Sequence, residues 1–162
     1  MLLSFDLGIK NMGACALKNN GEIVAWELLN INSTKISDIV LSLDSWISCV
    51  LCQSTEIPIQ IVLERQPWRN RKTTRLLVIM ETFFTVAYPS FILNKVLSNN
   101  KWKYINMIVP ITYNERKSKI VDICKSKLSQ SNDNNKWLEW YNEQQKKDDL
   151  ADAYIQALVI LK

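Results

Sequence analysis

Apolar positions recur along the chain with two different periods. Over LLSFDLG (2–8), GACALK (13–18) and EIVAWELLNI (22–31) they form short runs bounded by turn residues, the pattern of buried strands. Asn19, Asn20 and Gly21 form a hairpin signal between the last two runs, so three consecutive antiparallel strands are predicted to open the fold. In ISDIVLSLDSWISCVLCQS the period becomes helical. Ile36, Ile39, Val40, Leu43, Trp46, Ile47 and Val50 share a side, which predicts a helix over 37–52. PIQIVLERQP reads as a buried strand ending at Glu64, with Pro67 stopping regular structure. RKTTRLLVIMETFFTVAY predicts a helix over 71–88, with Leu76, Leu77, Met80, Phe84 and Ala87 along one side.

Beyond Pro89 the pattern predicts a short helix in SFILNKVLS (90–98) and a fifth strand in KYINMIVP (103–110). A helix follows in NERKSKIVDICKSKL (114–128), then a polar loop, SQSNDNN, and a short helix in KWLEWYNEQQKK (136–147). The chain closes with a helix, DDLADAYIQALVILK, headed by acids that suit its N-terminal dipole. There is no internal repeat, second core or linker. Residues 1–162 therefore read as one α/β domain, with a mixed five-stranded sheet flanked by helices.

Composition changes this picture little. At 48% apolar and 22% charged, 162 residues are ordinary for a globular domain. No uncharged apolar stretch reaches the length of about 18 residues that a membrane span needs. Asp6 and Lys10 interrupt the N-terminal apolar run, which argues against a signal peptide and for a reducing, cytoplasmic location. The net charge of +4 matters through its distribution. RQPWRNRKTTR carries Arg65, Arg69, Arg71, Lys72 and Arg75 without an acid, and RKSK adds Arg116, Lys117 and Lys119. Each run is either a solvated face or a contact for a polyanion.

The absence of histidine excludes Ser-His-Asp and Cys-His catalysis and His-containing zinc sites. Cys49 and Cys52 form a C-x-x-C, but they lie on the predicted 37–52 helix, and Cys15 and Cys124 supply no second pair. Buried or half-buried thiols are the expectation for these cysteines.

Carboxylates remain. Two apolar strands end in acids, Asp6 and Glu64, at junctions where α/β sheets form their sites. The last helix adds Asp149 and Asp152, three apart and so on one face, although Asp148 and Asp152 share a face too. Asp148 and Asp149 suit the first helical turn, whereas Asp152 lies among Leu150, Ala151, Ala153 and Ile155 and needs a partner. Converging carboxylates either stay protonated or take up a hard divalent cation, and oxygen ligands suit Mg²⁺ or Mn²⁺ rather than zinc. Two such ions can activate water and stabilise the leaving oxygen of a phosphodiester. Gly8 would let backbone or a substrate phosphate approach closely.

The order of elements, ending in a helix that carries acids, resembles the ribonuclease H-like nucleases. Within them, FDLGIKNMG, VLERQP and DDLADA resemble the motifs of RuvC-type Holliday junction resolvases, and with ERKSK the chain is most similar to the poxvirus resolvases. The resemblance touches both ends and the middle of the chain. It implies that Asp6, Glu64, Asp149 and Asp152 are catalytic and hold one or two Mg²⁺ ions, with Mn²⁺ as a substitute. The family's spacing selects Asp149 over Asp148. It also implies a functional lysine in ERKSK, with Lys117 the candidate and Lys119 its neighbour; a cation there would stabilise charge on the scissile phosphate. The activity implied is metal-dependent, paired cleavage of four-way and branched DNA in viral replication or recombination intermediates, without a nucleotide cofactor or a membrane.

Arg65, Arg69, Arg71 and Arg75, with Lys119, are then the candidates for DNA phosphates. Trp68 either stacks on an unpaired base or packs in an interface. A two-fold symmetric junction calls for a homodimer, for which the apolar face of the 71–88 helix is the candidate interface. Other readings are a ribonuclease H or exonuclease on the same fold, a catalytically inactive binding module, and an actin-like ATPase. The last of these is poorly served by three glycines.

Overall fold

A computed structural model describes residues 1–31, 33, 35–54, 56, 59–105, 109 and 112–161. The strands are β1 (Leu2–Asp6), β2 (Met12–Leu17), β3 (Ile23–Leu29), β4 (Gln60–Glu64) and β5 (Ile92–Val96). They form one five-stranded sheet in the order β3-β2-β1-β4-β5. The β1–β2 and β2–β3 pairs are antiparallel, while β4 lies parallel to both β1 and β5.

Side chains alternate across this sheet, and both faces are covered, so β1 and β4 read as continuous apolar runs rather than alternating ones. Leu3, Phe5, Ile61 and Leu63 point to one layer, with α1 (Ile36–Gln53) and α2 (Arg71–Ala87). Leu2 and Val62 point to the other, with α4 (Tyr113–Ser129), α5 (Asn135–Glu143) and α6 (Lys147–Ile160). Between these sets, α3 (Asn100–Tyr104) follows β5. By length and composition α1 passes for a membrane span. Its Ile39, Leu43, Trp46, Ile47 and Val50 are instead buried in the first layer.

Four expectations change. The 90–98 segment is not a helix: Ile92–Val96 is the fifth strand, hydrogen-bonded to β4. Its apolar run is too short for periodicity to separate strand from helix, and the pairing supplied by β4 decides. Of the strand expected at 103–110, Lys103 and Tyr104 end α3, and residues 106–108 and 110 lie outside the described residues. The thiols divide: Cys15 and Cys124 are buried, whereas Cys49 and Cys52 are exposed on the outer side of α1. The apolar side of α2 also has a partner within the chain. Leu76, Met80 and Phe84 are buried in the first layer, and Ala87 is exposed. That face is therefore unavailable as an interface.

The 129–145 stretch fits no sequence motif, yet it has a clear structural task. A 3-10 turn at Asn132–Asn134 and α5 pack an aromatic cluster onto β3. Trp26 stacks on Tyr141 at 5.0 Å between ring centroids and meets Trp137 and Trp140. The Asn134 side chain accepts from the Ile23 N–H and donates to the Gly21 carbonyl, and Trp137 donates to the Ile23 carbonyl, which satisfies part of the edge of β3. Trp26 in turn donates its indole N–H to the Leu150 carbonyl at 3.0 Å, fastening the first turn of α6.

Candidate functional site

The acids reach one place because three elements end or start there. β1 and β4 are parallel neighbours, so Asp6 and Glu64 leave the same end of the sheet. Helix α6 crosses β1 and β2 and brings Asp149 and Asp152 to that end, one turn apart. Two features fix its position. Gln156, almost fully buried, donates from Nε2 to the carbonyls of Phe5 and Val62, tying α6 to both central strands. Gly13, paired with Asp6 across β1–β2, faces the helix backbone: a Cβ there would lie 2.2 Å from the Asp149 carbonyl oxygen. Gly8 serves the turn itself, because a Cβ there would lie 1.9 Å from the Asn11 carbonyl oxygen.

The four acids line a cleft of ≈ 360 Å³, together with Lys101, Arg116 and Lys117. Asp148 is not part of that lining and pairs with Lys117, which is. The choice between Asp148 and Asp149, which helical spacing leaves open, thus has a geometric counterpart. Lys117 and Lys119 also separate: Lys117 lines the cleft near the N-terminus of α4, with Nζ 5.0 Å from the centre of the Tyr113 ring, whereas Lys119 is exposed. Thr112 and Glu115 close a capping box at that end of α4 and fix where Lys117 starts.

Burial raises the Asp6 carboxyl well above the usual range, and the charges of Asp152, Glu64 and Asp149 raise it further against the opposing pull of Lys101. Glu64 is raised chiefly by burial, with Lys101 pulling it back. Asp149 is raised by burial and by its neighbour Asp148. Asp148 is lowered: burial works against it, but the hydrogen bond from Lys117 prevails.

Sequence reasoning missed Lys101. Its ammonium stands 3.4 Å from Glu64 and bonds Asp152, and its side chain is only 12% exposed. Burial alone would lower its pKa, but the charges of Asp152 and Glu64 overcome this and hold it above its usual value. Nothing in NNKWKY marks a site. The available signal was indirect, namely the need of an acid cluster for a cation. Arg116 was noted in the sequence only as part of a basic run, and here it lines the cleft.

In kind, the donor set fits a hard divalent cation, being carboxylates that face one polar cleft. Among the described residues, no three acids converge tightly enough to hold an ion as their side chains stand, and Lys101 lies between two of them.

Arg65, Arg69, Arg71 and Arg75 are all exposed and lie outside the lining of the acid cleft. Arg75 instead flanks a separate cavity of ≈ 500 Å³ with Lys10 and Lys72, over a floor of Ile31, Ile39 and Leu76. Trp68 is 78% exposed, and the Arg69 guanidinium carbon lies 5.4 Å from its ring centre.

A mixed sheet in this order, flanked by helices and carrying acids at one end, defines a ribonuclease H-like fold. The structure is similar to the crystal structure of the yeast mitochondrial Holliday junction resolvase Ydc2, with a TM-score of 0.62 and 19% identity over 99% of this chain and 78% of that one. No curated protein matches the chain. The family model of the poxvirus A22 protein matches residues 1–161, and the chain belongs to this family of Holliday junction resolvases.

Proposed function

We propose that the protein is a divalent-metal-dependent endonuclease that resolves four-way and related branched DNA by paired, symmetric cuts, acting on viral replication or recombination intermediates. The observation that carries this reading is the convergence of Asp6, Glu64, Asp149 and Asp152, from β1, β4 and α6, on one cleft that also holds Lys117. Membership of a resolvase family supports the substrate class.

In this reading the four acids hold one or two Mg²⁺ ions, with Mn²⁺ as a substitute. Bound ions supply activation of water and charge neutralisation at a phosphodiester. Lys117, oriented by Asp148 and by the Tyr113 ring, is directed at the scissile phosphate. Arg65 and Arg69 contact neighbouring phosphates, and exposed Trp68 meets an unpaired base. Lys119, Arg71 and Arg75 extend the basic surface. Cutting two strands of a two-fold symmetric junction calls for two copies of the site, and so for a homodimer. Its four free thiols support a reducing compartment such as the cytoplasm.

The test is a labelled four-way junction incubated with purified protein in Mg²⁺ and in EDTA, beside Asp149→Asn. Paired symmetric nicks that need the metal and vanish in the variant are expected. Binding without cleavage under every divalent cation would overturn the nuclease reading.

A further inference from the structure

Lys101 stands among the acids that the proposed function assigns to metal. We propose that Lys101 is an exchangeable internal counter-ion, which holds Glu64 and Asp152 in place until a divalent cation displaces its ammonium from them. The inference rests on the metal reading above and adds a competitor to it.

The geometry supports exchange in three ways. First, the ammonium is bonded to Asp152 and lies 3.4 Å from Glu64, so it contacts carboxylates that a metal would need. An ion binding those oxygens at about 2.1 Å and an ammonium at hydrogen-bond distance cannot share them without strong like-charge repulsion. Second, charge favours the exchange. Lys101 brings one positive charge to Glu64 and Asp152, and a divalent ion in its place brings two to the same carboxylates. Third, the lysine can leave while its helix stays. Trp102 beside it is 3% exposed and anchors α3, while the long Lys101 stem borders the ≈ 360 Å³ cleft. A flexible four-carbon stem suits that movement.

The experiment measures thermal unfolding in EDTA and in Mn²⁺, and Mn²⁺ binding by calorimetry, for the wild type, Lys101→Met and Lys101→Gln. Exchange predicts that Lys101→Met melts at least about 5 °C lower in EDTA, because an acid pair loses its cation. Mn²⁺ should recover this loss while shifting the wild type less. Both variants should bind Mn²⁺ roughly tenfold more tightly than the wild type, since no ammonium has to be displaced. Should Lys101→Met not fold in EDTA, Lys101→Gln, which keeps a donor, carries the comparison. Adding Asp152→Asn to Lys101→Met should restore melting in EDTA. Equal or weaker Mn²⁺ binding by both variants, with the wild type binding, would overturn the exchange and leave the metal reading standing. Absence of Mn²⁺ binding in every form would overturn both.

Discussion

Two lysines reach acids of helix α6, and they do so differently. Lys101, on the short α3, is 12% exposed and bonds Asp152, which lines the cleft, while also meeting Glu64. Lys117, on the long capped α4, is 38% exposed and bonds Asp148, which is not part of the cleft lining. The first pairing neutralises members of the acid cluster itself. The second uses an acid outside the cluster to hold a cation at its rim. Two pairs with the same chemistry thus leave different groups available: the Lys101 pairing occupies carboxylates, whereas the Lys117 pairing orients an ammonium.

The strongest test of this contrast removes the acids. Asp152→Asn and Asp149→Asn should lower junction cleavage by roughly 10³-fold with junction binding retained, whereas Asp148→Asn should lower it by about tenfold at most, through Lys117 alone. Rates within a factor of a few across the three variants would erase the distinction. Next in size, Lys117→Met should cost about 10²-fold in single-turnover rate, and Lys119→Met less than about twofold. The stability cost of Lys117→Met should stay below about 1 kcal/mol, since its pair is partly solvated, and chemical denaturation can check this.

The pH response should also divide by pair. Asp6 and Glu64 have raised folded-state pKa values, so without metal the folded protein binds protons more readily than the unfolded chain does. Stability should therefore rise as pH falls through their raised folded-state values toward the ordinary carboxylate range, and Asp6→Asn should flatten that rise. Asp148 has the opposite sign. Its stabilising pairing is present above its usual value of 3.8 and is lost as pH falls through its lowered folded-state value. Thermal melts of metal-free protein across pH measure both, and a wild-type profile with no gain as pH falls toward the ordinary carboxylate range would contradict the first.

The smallest effect concerns the outer basic surface. Neutralising Arg65 and Arg69 together should flatten the dependence of log affinity on log salt by about 1.8 if each meets one phosphate. An unchanged slope would remove them from the DNA surface.

Much of this site was legible in the sequence because its acids sit at grammatical positions. Asp6 and Glu64 end apolar strands, and Asp152 interrupts an apolar helix, so each looks costly without a partner. The partners were harder to read. Lys101 follows an edge strand whose short apolar run has no decisive period, and misreading that strand as a helix hid the position of the lysine. Gln156 looks like an ordinary helical polar residue until β1 and β4 present their carbonyls to it. The aromatic residues of α5 gain their meaning from Trp26, distant in sequence, which no local pattern indicates.

At Gly13 the site depends on an atom that is not there. The helix lies against this residue so closely that a single methyl would collide with the Asp149 carbonyl oxygen. The strand acid and the helix acids are therefore gauged to each other by backbone contact, with no side chain between them to yield. Gly13→Ala would act as a shim, lifting α6 and separating Asp149 and Asp152 from Asp6 while leaving every one of those acids in place.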